Sequence, residues 1–404
     1  MKIVVVTQYF WPECFRINDL VRELISRGHE VTVLTGIPNY PSGKIYPDYT
    51  LNPRGYDYYF GARVYRSPML ARGSGAFSLI LNYLSFAFCA SIYGSLRLFS
   101  KQFDLVFVYQ LSPVILAIPA IFLSRLKRIP LIFWVQDLWP DTLISLFQIK
   151  NRFLISFLTL LVGLIYSYAS SILVQSRSFA LKIAEYVKCN TKIHYLPNWT
   201  DEQIEPFDLN PAPEVPKASG VFTVLFAGNV GEAQDFPSIL DAAEILKENS
   251  NLRWIIVGSG RQIQWLHNQV ILRGLSHCFL LLGRFPYERM PSFYRAADAL
   301  LISLAKKPAF SLTIPSKLQS YLLSGVPLLG MLDGEGALVI LKANAGFVCN
   351  AGNSSALVKS VESLLSLTPD QRRQMGSNGR LYALEEFGKR ALLDRLEHLF
   401  LSVV

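Results

Sequence analysis

Short apolar runs separated by longer stretches of helical spacing recur from one end of the chain to the other. In the first half they are KIVVV (2–6), EVTVL (30–34), DLVFVY (104–109), PLIFWV (130–135) and SILVQS (171–176). In the second half they are FTVLFAG (222–228), RWIIVG (253–258), CFLLLG (278–283), ALLISL (299–304), PLLGML (327–332) and AGFVCN (345–350). Runs that are apolar throughout, without alternation, belong to strands covered on both faces, and the helical stretches between them predict parallel sheets built from βαβ units. Two doubly wound α/β domains follow. The segment PFDLNPAPEVPKASG (206–220) is dense in Pro and polar residues and lacks periodicity, so it predicts a linker. The expected organisation is a first domain over 1–205, a second over 221–380, and a helical segment over 381–404 that packs back across the first.

Two charge-free segments, 74–96 and 153–176, complicate this picture. Either is long enough to cross a bilayer. The second contains SILVQS where the rhythm of the sheet needs a strand, so its helical part stops near Tyr168 and is too short to span. The first is interrupted by Ser, Asn, Cys and Gly and flanked by Arg72, Arg97 and Lys101. It predicts an amphipathic helix, either buried or lying at a membrane interface with its flanking cations on anionic head groups.

Composition sharpens the expectation. Hydrophobic residues make up 51% of the 404 positions, and 39 Lys+Arg against 30 Asp+Glu leave a formal charge of +9, a combination that suits an anionic ligand or surface. The basic residues are scattered, without an Arg/Lys stripe or a recognisable nucleic-acid module, so no nucleic-acid partner is expected. A membrane surface rich in anionic lipid fits better. The five cysteines (14, 89, 189, 278 and 349) form no CxxC pair, and the five histidines have no metal-ligand spacing. Buried thiols in a reducing compartment are expected, and the brief apolar start MKIVVV predicts a first strand rather than a signal peptide. The expected location is the cytoplasm.

The candidate chemistry lies in the loops that follow the strands. The first strand leads into TQYFWPECFR, with no GxGxxG, which counts against a dinucleotide. In the second half, AGNVGEAQDF (227–236) and VGSGRQ (257–262) place glycines directly after strands, where backbone amides can approach a phosphate. FSLTIPSKLQSYLLSGVPLL (310–329) sets Lys317 in the first turn of a helix, where the dipole disfavours a cation unless an anion is near. A nucleoside diphosphate over these three loops would account for that lysine.

RGHEVTVLT (27–35), GRFPYERMPSFYRAADALLISL (283–304) and PSKLQSYLLSGVPLL (315–329) resemble segments of the GT-B glycosyltransferases of family 4, retaining enzymes that use nucleotide-activated sugars. PECFRINDL, PNYPSG (38–43), VQDLWPD (135–141) and GNVGEAQ (228–234) are similar to a bacterial O-antigen and capsule subfamily that includes N-acetyl-L-fucosamine transferases. The resemblance implies two Rossmann-like domains facing a central cleft. It also implies transfer of an N-acetylamino sugar from a UDP donor to an undecaprenyl-diphosphate-linked N-acetylhexosamine at the inner face of the cytoplasmic membrane. The two glutamates typical of the family's donor motif fall at Leu312 and Ser320, and its diphosphate-clasping Arg and Lys fall near Asn229 and Gln234.

The roles follow from that resemblance and from position. Arg16, Gly228, Asn229, Gln234, Gly258, Arg261, Arg284, Phe285, Ser316, Lys317 and Ser320 are the expected donor-binding residues. Glu13, Asn39, Tyr40 and Asp137 are expected on the acceptor. Lys317 would stabilise the departing diphosphate and Asp137, after a buried strand, would orient an acceptor hydroxyl. The sequence carries no DxD to hold a metal, so neither a metal nor a further cofactor is expected. A UDP-sugar 2-epimerase of the same architecture and an inactive membrane-bound scaffold of polysaccharide assembly are the alternatives.

Overall fold

The computed structural model describes residues 1–73, 75–147, 149–187, 192–200, 210–216 and 220–404. The chain divides into two compact units, residues 1–197 with 394–404, and residues 198–393. Strands of the first unit are β1 (Lys2–Val6), β2 (Glu30–Thr35), β3 (Tyr58–Tyr59), β4 (Ala62–Arg66), β5 (Leu105–Gln110), β6 (Leu131–Val135), β7 (Ser171–Val174) and β8 (Ile193–Tyr195). They form a sheet in the order β3-β4-β2-β1-β5-β6-β7-β8, parallel apart from the short β3–β4 pair. The second unit contributes β9 (Phe222–Ala227), β10 (Leu252–Val257), β11 (Phe279–Gly283), β12 (Ala299–Ser303), β13 (Leu328–Met331) and β14 (Gly346–Cys349), all parallel, in the order β11-β10-β9-β12-β13-β14.

All the apolar runs read as strands are strands, within two residues at either end. β1 shows why: Ile3 to Val6 are fully buried, and Ile3 lies in register with Val31 on one side and Leu105 on the other. β-branched residues covered on both faces suit a central parallel strand. In each sheet the chain's first strand has neighbours on both sides, so the connections diverge around β1 and around β9, and ligands of such sheets bind beyond the carboxyl ends at that point.

Three expectations change. The linker at 206–220 lies partly outside the described residues, but Ala212 and Val215 are buried in the second unit's core, and the Ala212 N–H donates to the Ser292 carbonyl at 2.8 Å. Of the terminal segment 381–404, residues up to 393 stay with the second unit, where Ala383 and Phe387 are buried, and only 394–404 join the first. There Arg27 pairs with Asp394 and Glu397, His29 Nε2 lies 2.7 Å from Glu397, and Phe400 meets the ring of Phe107. Cys14 is exposed, Cys89 half-buried, Cys278 and Cys349 buried, and Cys189 lies outside the described residues.

Candidate functional site

At the carboxyl edge of the second sheet, the loops after β9 and β10 are laced together by their own backbone. Val230 N–H donates to the Ser259 carbonyl, and Gln262 N–H to the Val230 carbonyl. Glycine is required at this seam. Gly228 and Gly258 have φ of 144° and 149°, and a Cβ on Gly258 would lie 1.8 Å from the Gly228 carbonyl oxygen. The segment after β12 closes the same edge: Ala305 N–H donates to the Ala233 carbonyl and the Ser303 hydroxyl to the Gln234 carbonyl.

Lys317 lies beneath this edge. It belongs to the helix Ser316–Leu323, whose N-cap is Pro315 and which has no side-chain cap, so its amino end is left to a ligand or to water. The residue is partly exposed along its length, but its Nζ is buried, without a hydrogen-bond partner, 3.7 Å above the centre of the Phe226 ring and against Gly228. Burial pushes its pKa down to about 7. The ring face favours the ammonium by about 2 kcal/mol, less than the hydration the amine has lost. A cation held where it is poorly solvated and unpaired is a group waiting for an anion.

Of the other expected donor residues, Asn229 is exposed, and the Gln234 side-chain oxygen is engaged by the Gly231 N–H at 3.2 Å, which fixes the loop's turn. Ser316 is exposed and Ser320 partly buried on the helix that carries Lys317. Arg261 and Arg284 are exposed. Phe285 packs against Phe293 at 4.7 Å, with the guanidinium of Arg289 over its ring and Glu214 paired to that arginine at 2.9 Å. Arg253, Arg295 and Arg372 line a separate open pocket of about 720 Å³ at the amino ends of β9 and β10.

In the first unit, Asp137 follows β6 and is partly buried; its Oδ2 accepts from the Ser112 N–H at 3.0 Å. Burial raises its pKa against the pull of that bond. Tyr109, buried at the end of β5, feels both the Arg16 and the Asp137 charges, which places the two expected site residues around one phenol. Two acceptor assignments are corrected. Glu13 is buried, with Oε1 accepting from the Asn39 and Tyr40 N–H groups and Oε2 from that of Phe10, so it fastens two loops, and at 2% exposure it is not placed to meet a sugar. Asn39 is fully buried, its Nδ2 donating to Ile37 and its Oδ1 accepting from Arg72 N–H. Tyr40 remains accessible and forms an aromatic cluster with Tyr9 and Phe15, ring centres 5.2 to 5.6 Å apart, under the Arg72 guanidinium. Sequence reasoning missed Tyr9 and Phe15, and also Arg66, which holds the Gly36 and Trp11 carbonyls, and it gave Arg72 only the role of a cation flanking the 74–96 segment. Their signal was an aromatic-rich loop after β1 and an isolated cation in each case.

The long helix Ala76–Leu98 presents the other unusual surface. Asn82, Phe86, Ala90 and Leu98 are fully buried and Gly94 abuts Leu34, while Phe77, Ile80, Leu84, Phe88, Ile92 and Leu96 form an exposed apolar row. Its length and composition would let it cross a membrane, yet its inner face is packed on its own domain. A groove of about 530 Å³ runs beside that row, lined by Leu84, Phe88, Ile92, Leu96, Ile118 and Phe122. The helix Arg152–Ser167 repeats the pattern, with Phe153, Phe157, Leu160 and Leu164 exposed.

Two doubly wound units with a phosphate-suited edge on the second sheet fit an enzyme that handles a nucleoside diphosphate, and comparison with known proteins gives the class. Residues 15–199 match the family described as glycosyl transferase 4-like domain, and residues 212–382 that described as glycosyl transferases group 1. The chain is a glycosyltransferase with the GT-B fold. It is 24% identical to WcaI of Escherichia coli K12, named as a colanic acid biosynthesis glycosyl transferase, over 80% of this chain and 82% of that one. It is also 24% identical to WbjE of Pseudomonas aeruginosa, named as a glycosyltransferase, over 58% of this chain, which spans 59% of that relative's length. Among solved structures, HepE of Anabaena in complex with UDP and glucose superposes with a TM-score of 0.68 at 15% identity, covering both chains fully. Sucrose-phosphate synthase of Thermosynechococcus elongatus gives 0.75 at 13% identity, covering 99% and 98%.

Proposed function

We propose that this enzyme is a retaining glycosyltransferase of bacterial surface-polysaccharide assembly, moving an N-acetylamino sugar from a UDP donor to a lipid-linked acceptor. The observation that carries the donor half is the unpaired, buried Lys317 amine beneath the joined loops 228–234 and 258–262. A diphosphate there would take charge from Lys317 and N–H groups from the loop and the uncapped helix, and the same contacts would strengthen as the leaving UDP gains charge. With that stabilisation supplied by protein groups, the reaction needs no metal. HepE, of the same fold, is known with UDP bound, and WcaI is named for colanic acid biosynthesis, which supports the donor and the pathway class.

On the acceptor side, Asp137 would orient the attacking hydroxyl, its raised pKa bringing it toward the range of a useful base. The partly exposed Phe15 and Tyr40 rings, tilted by 51° to one another and backed by the buried Tyr9, offer apolar surface for a sugar ring, and Arg72 a cation for the acceptor's phosphate. The exposed rows on Ala76–Leu98 and Arg152–Ser167, with Arg97, Lys101 and Arg125 among their neighbours, suit docking on the anionic inner leaflet. Undecaprenyl diphosphate is the acceptor lipid of this reading, and N-acetyl-L-fucosamine the first donor sugar to test.

The test is transfer from UDP-N-acetyl-L-fucosamine to a synthetic polyprenyl-diphosphate-linked N-acetylglucosamine with EDTA present, read by mass spectrometry. Product from the wild type, reduced at least ~100-fold in Lys317→Ala, is expected for loss of a charged contact to the leaving group. Absence of product with every UDP-N-acetylamino sugar would refute the reading, and turnover of the donor without an acceptor would favour an epimerase.

A further inference from the structure

The mechanism uses Lys317 as an ammonium, yet among the described residues no side chain supplies that ammonium with an anion. Among the described residues no hydrogen-bond acceptor reaches its Nζ, which is closed in by the Phe226 ring and Gly228. Among the described residues, no ionisable group on the surrounding elements is hydrogen-bonded to it. Tyr321, one turn along the helix, exchanges hydrogen bonds with the Ala227 backbone. On the loop after β9, Asp235 accepts from Ser238 and Glu232 is exposed. Asp333, after β13, accepts from the Ala351 N–H, and Glu335 makes no ion pair with Lys317. Lys306 and Lys307, after β12, add only positive charge.

Resting on the donor site read above, we propose that binding of the nucleoside diphosphate is coupled to uptake of one proton by Lys317. The free enzyme holds a largely neutral amine in the closed position above pH 7. The incoming diphosphate supplies the counter-charge, and the amine takes its proton from the buffer and becomes the ammonium that the leaving group requires. Burial lowers the amine's pKa to about 7 in the absence of ligand, and an adjacent anion carrying two or more negative charges reverses that shift. Donor affinity therefore falls as pH rises, and the enzyme presents no unneutralised buried charge between turnovers.

Calorimetric titration of the full chain with UDP at pH 8, in two buffers of different ionisation enthalpy, reads the proton directly. At that pH the terminal phosphate of UDP, with a second pKa of ~6, is already ionised and contributes little. Net proton uptake approaching one per UDP is expected, with Kd weakening as pH rises above 8 toward the one-proton limit of about tenfold per pH unit. Lys317→Met, folded by circular dichroism, should bind UDP more weakly and with no proton uptake. UDP binding without uptake, or uptake that persists in Lys317→Met, overturns the coupling while leaving the donor site in place. No UDP binding by the wild type overturns the donor reading and this inference with it.

Discussion

Lys317 carries a cost that a stability measurement can expose. In the unfolded chain its amine titrates near 10.4, in the fold near 7, so between those values the unfolded state binds more protons and stability rises with pH. Lys317→Met removes the cost, and the variant is predicted to be more stable than the wild type by ~1–4 kcal/mol at pH 7, with the gap narrowing toward pH 9. Urea denaturation at the two pH values checks this, and a variant less stable at pH 7 would contradict it. Glu13 works in the opposite sense. Burial raises its pKa to about 7 against three N–H donors, so its contribution is complete below ~4.5 and is lost as pH rises through 7. The wild-type curve alone mixes the two, which is why the variant is needed. Gly258→Ala, in contrast, should cost at least ~3 kcal/mol or abolish UDP binding, because its Cβ meets the Gly228 carbonyl and its φ of 149° suits only glycine. A stable variant with unchanged UDP affinity would show that the seam between the two loops has slack.

At the scale of elements, what the sequence made legible was every strand written as a continuous apolar run, including the partly buried edge strands β11 and β14. The central strands announce themselves as uninterrupted apolar runs. β4 and β8 do not: ARVYR alternates buried Ala62 and Val64 with partly exposed Arg63 and Tyr65, and β8 has three half-buried residues at a sheet edge. The sequence also left open whether the helix over 76–98 is core or interface, since composition is the same either way. The structure separates the faces, with Phe86 buried and Phe88 69% exposed. The exposed row predicts membrane affinity, and Phe88→Glu with Ile92→Glu should lower binding to anionic phospholipid vesicles at least ~10-fold without lowering the Tm by more than about 2 °C. Cosedimentation across a salt series checks it; unchanged vesicle binding would assign that row another role.

For the whole molecule, the presence of two parallel-sheet units was readable from the apolar runs, and the candidate motifs could be placed in the loops after strands, where doubly wound sheets bind ligands. Side-chain identity within those loops was less readable. Glu13 and Asn39 carry functional-looking groups, yet backbone N–H groups and a carbonyl use them up locally, a competition invisible without coordinates. Lys317 was legible because a cation in a helix's first turn opposes the dipole, and the structure puts its amine under the loops that the glycines had marked. The most direct test is a crystal structure of the complex with UDP. The diphosphate is expected within hydrogen-bonding distance of Lys317 Nζ, over the loop 228–234 and the amino end of the helix Ser316–Leu323. UDP seated elsewhere, for instance among Arg253, Arg295 and Arg372 at the opposite edge of the second sheet, would contradict it.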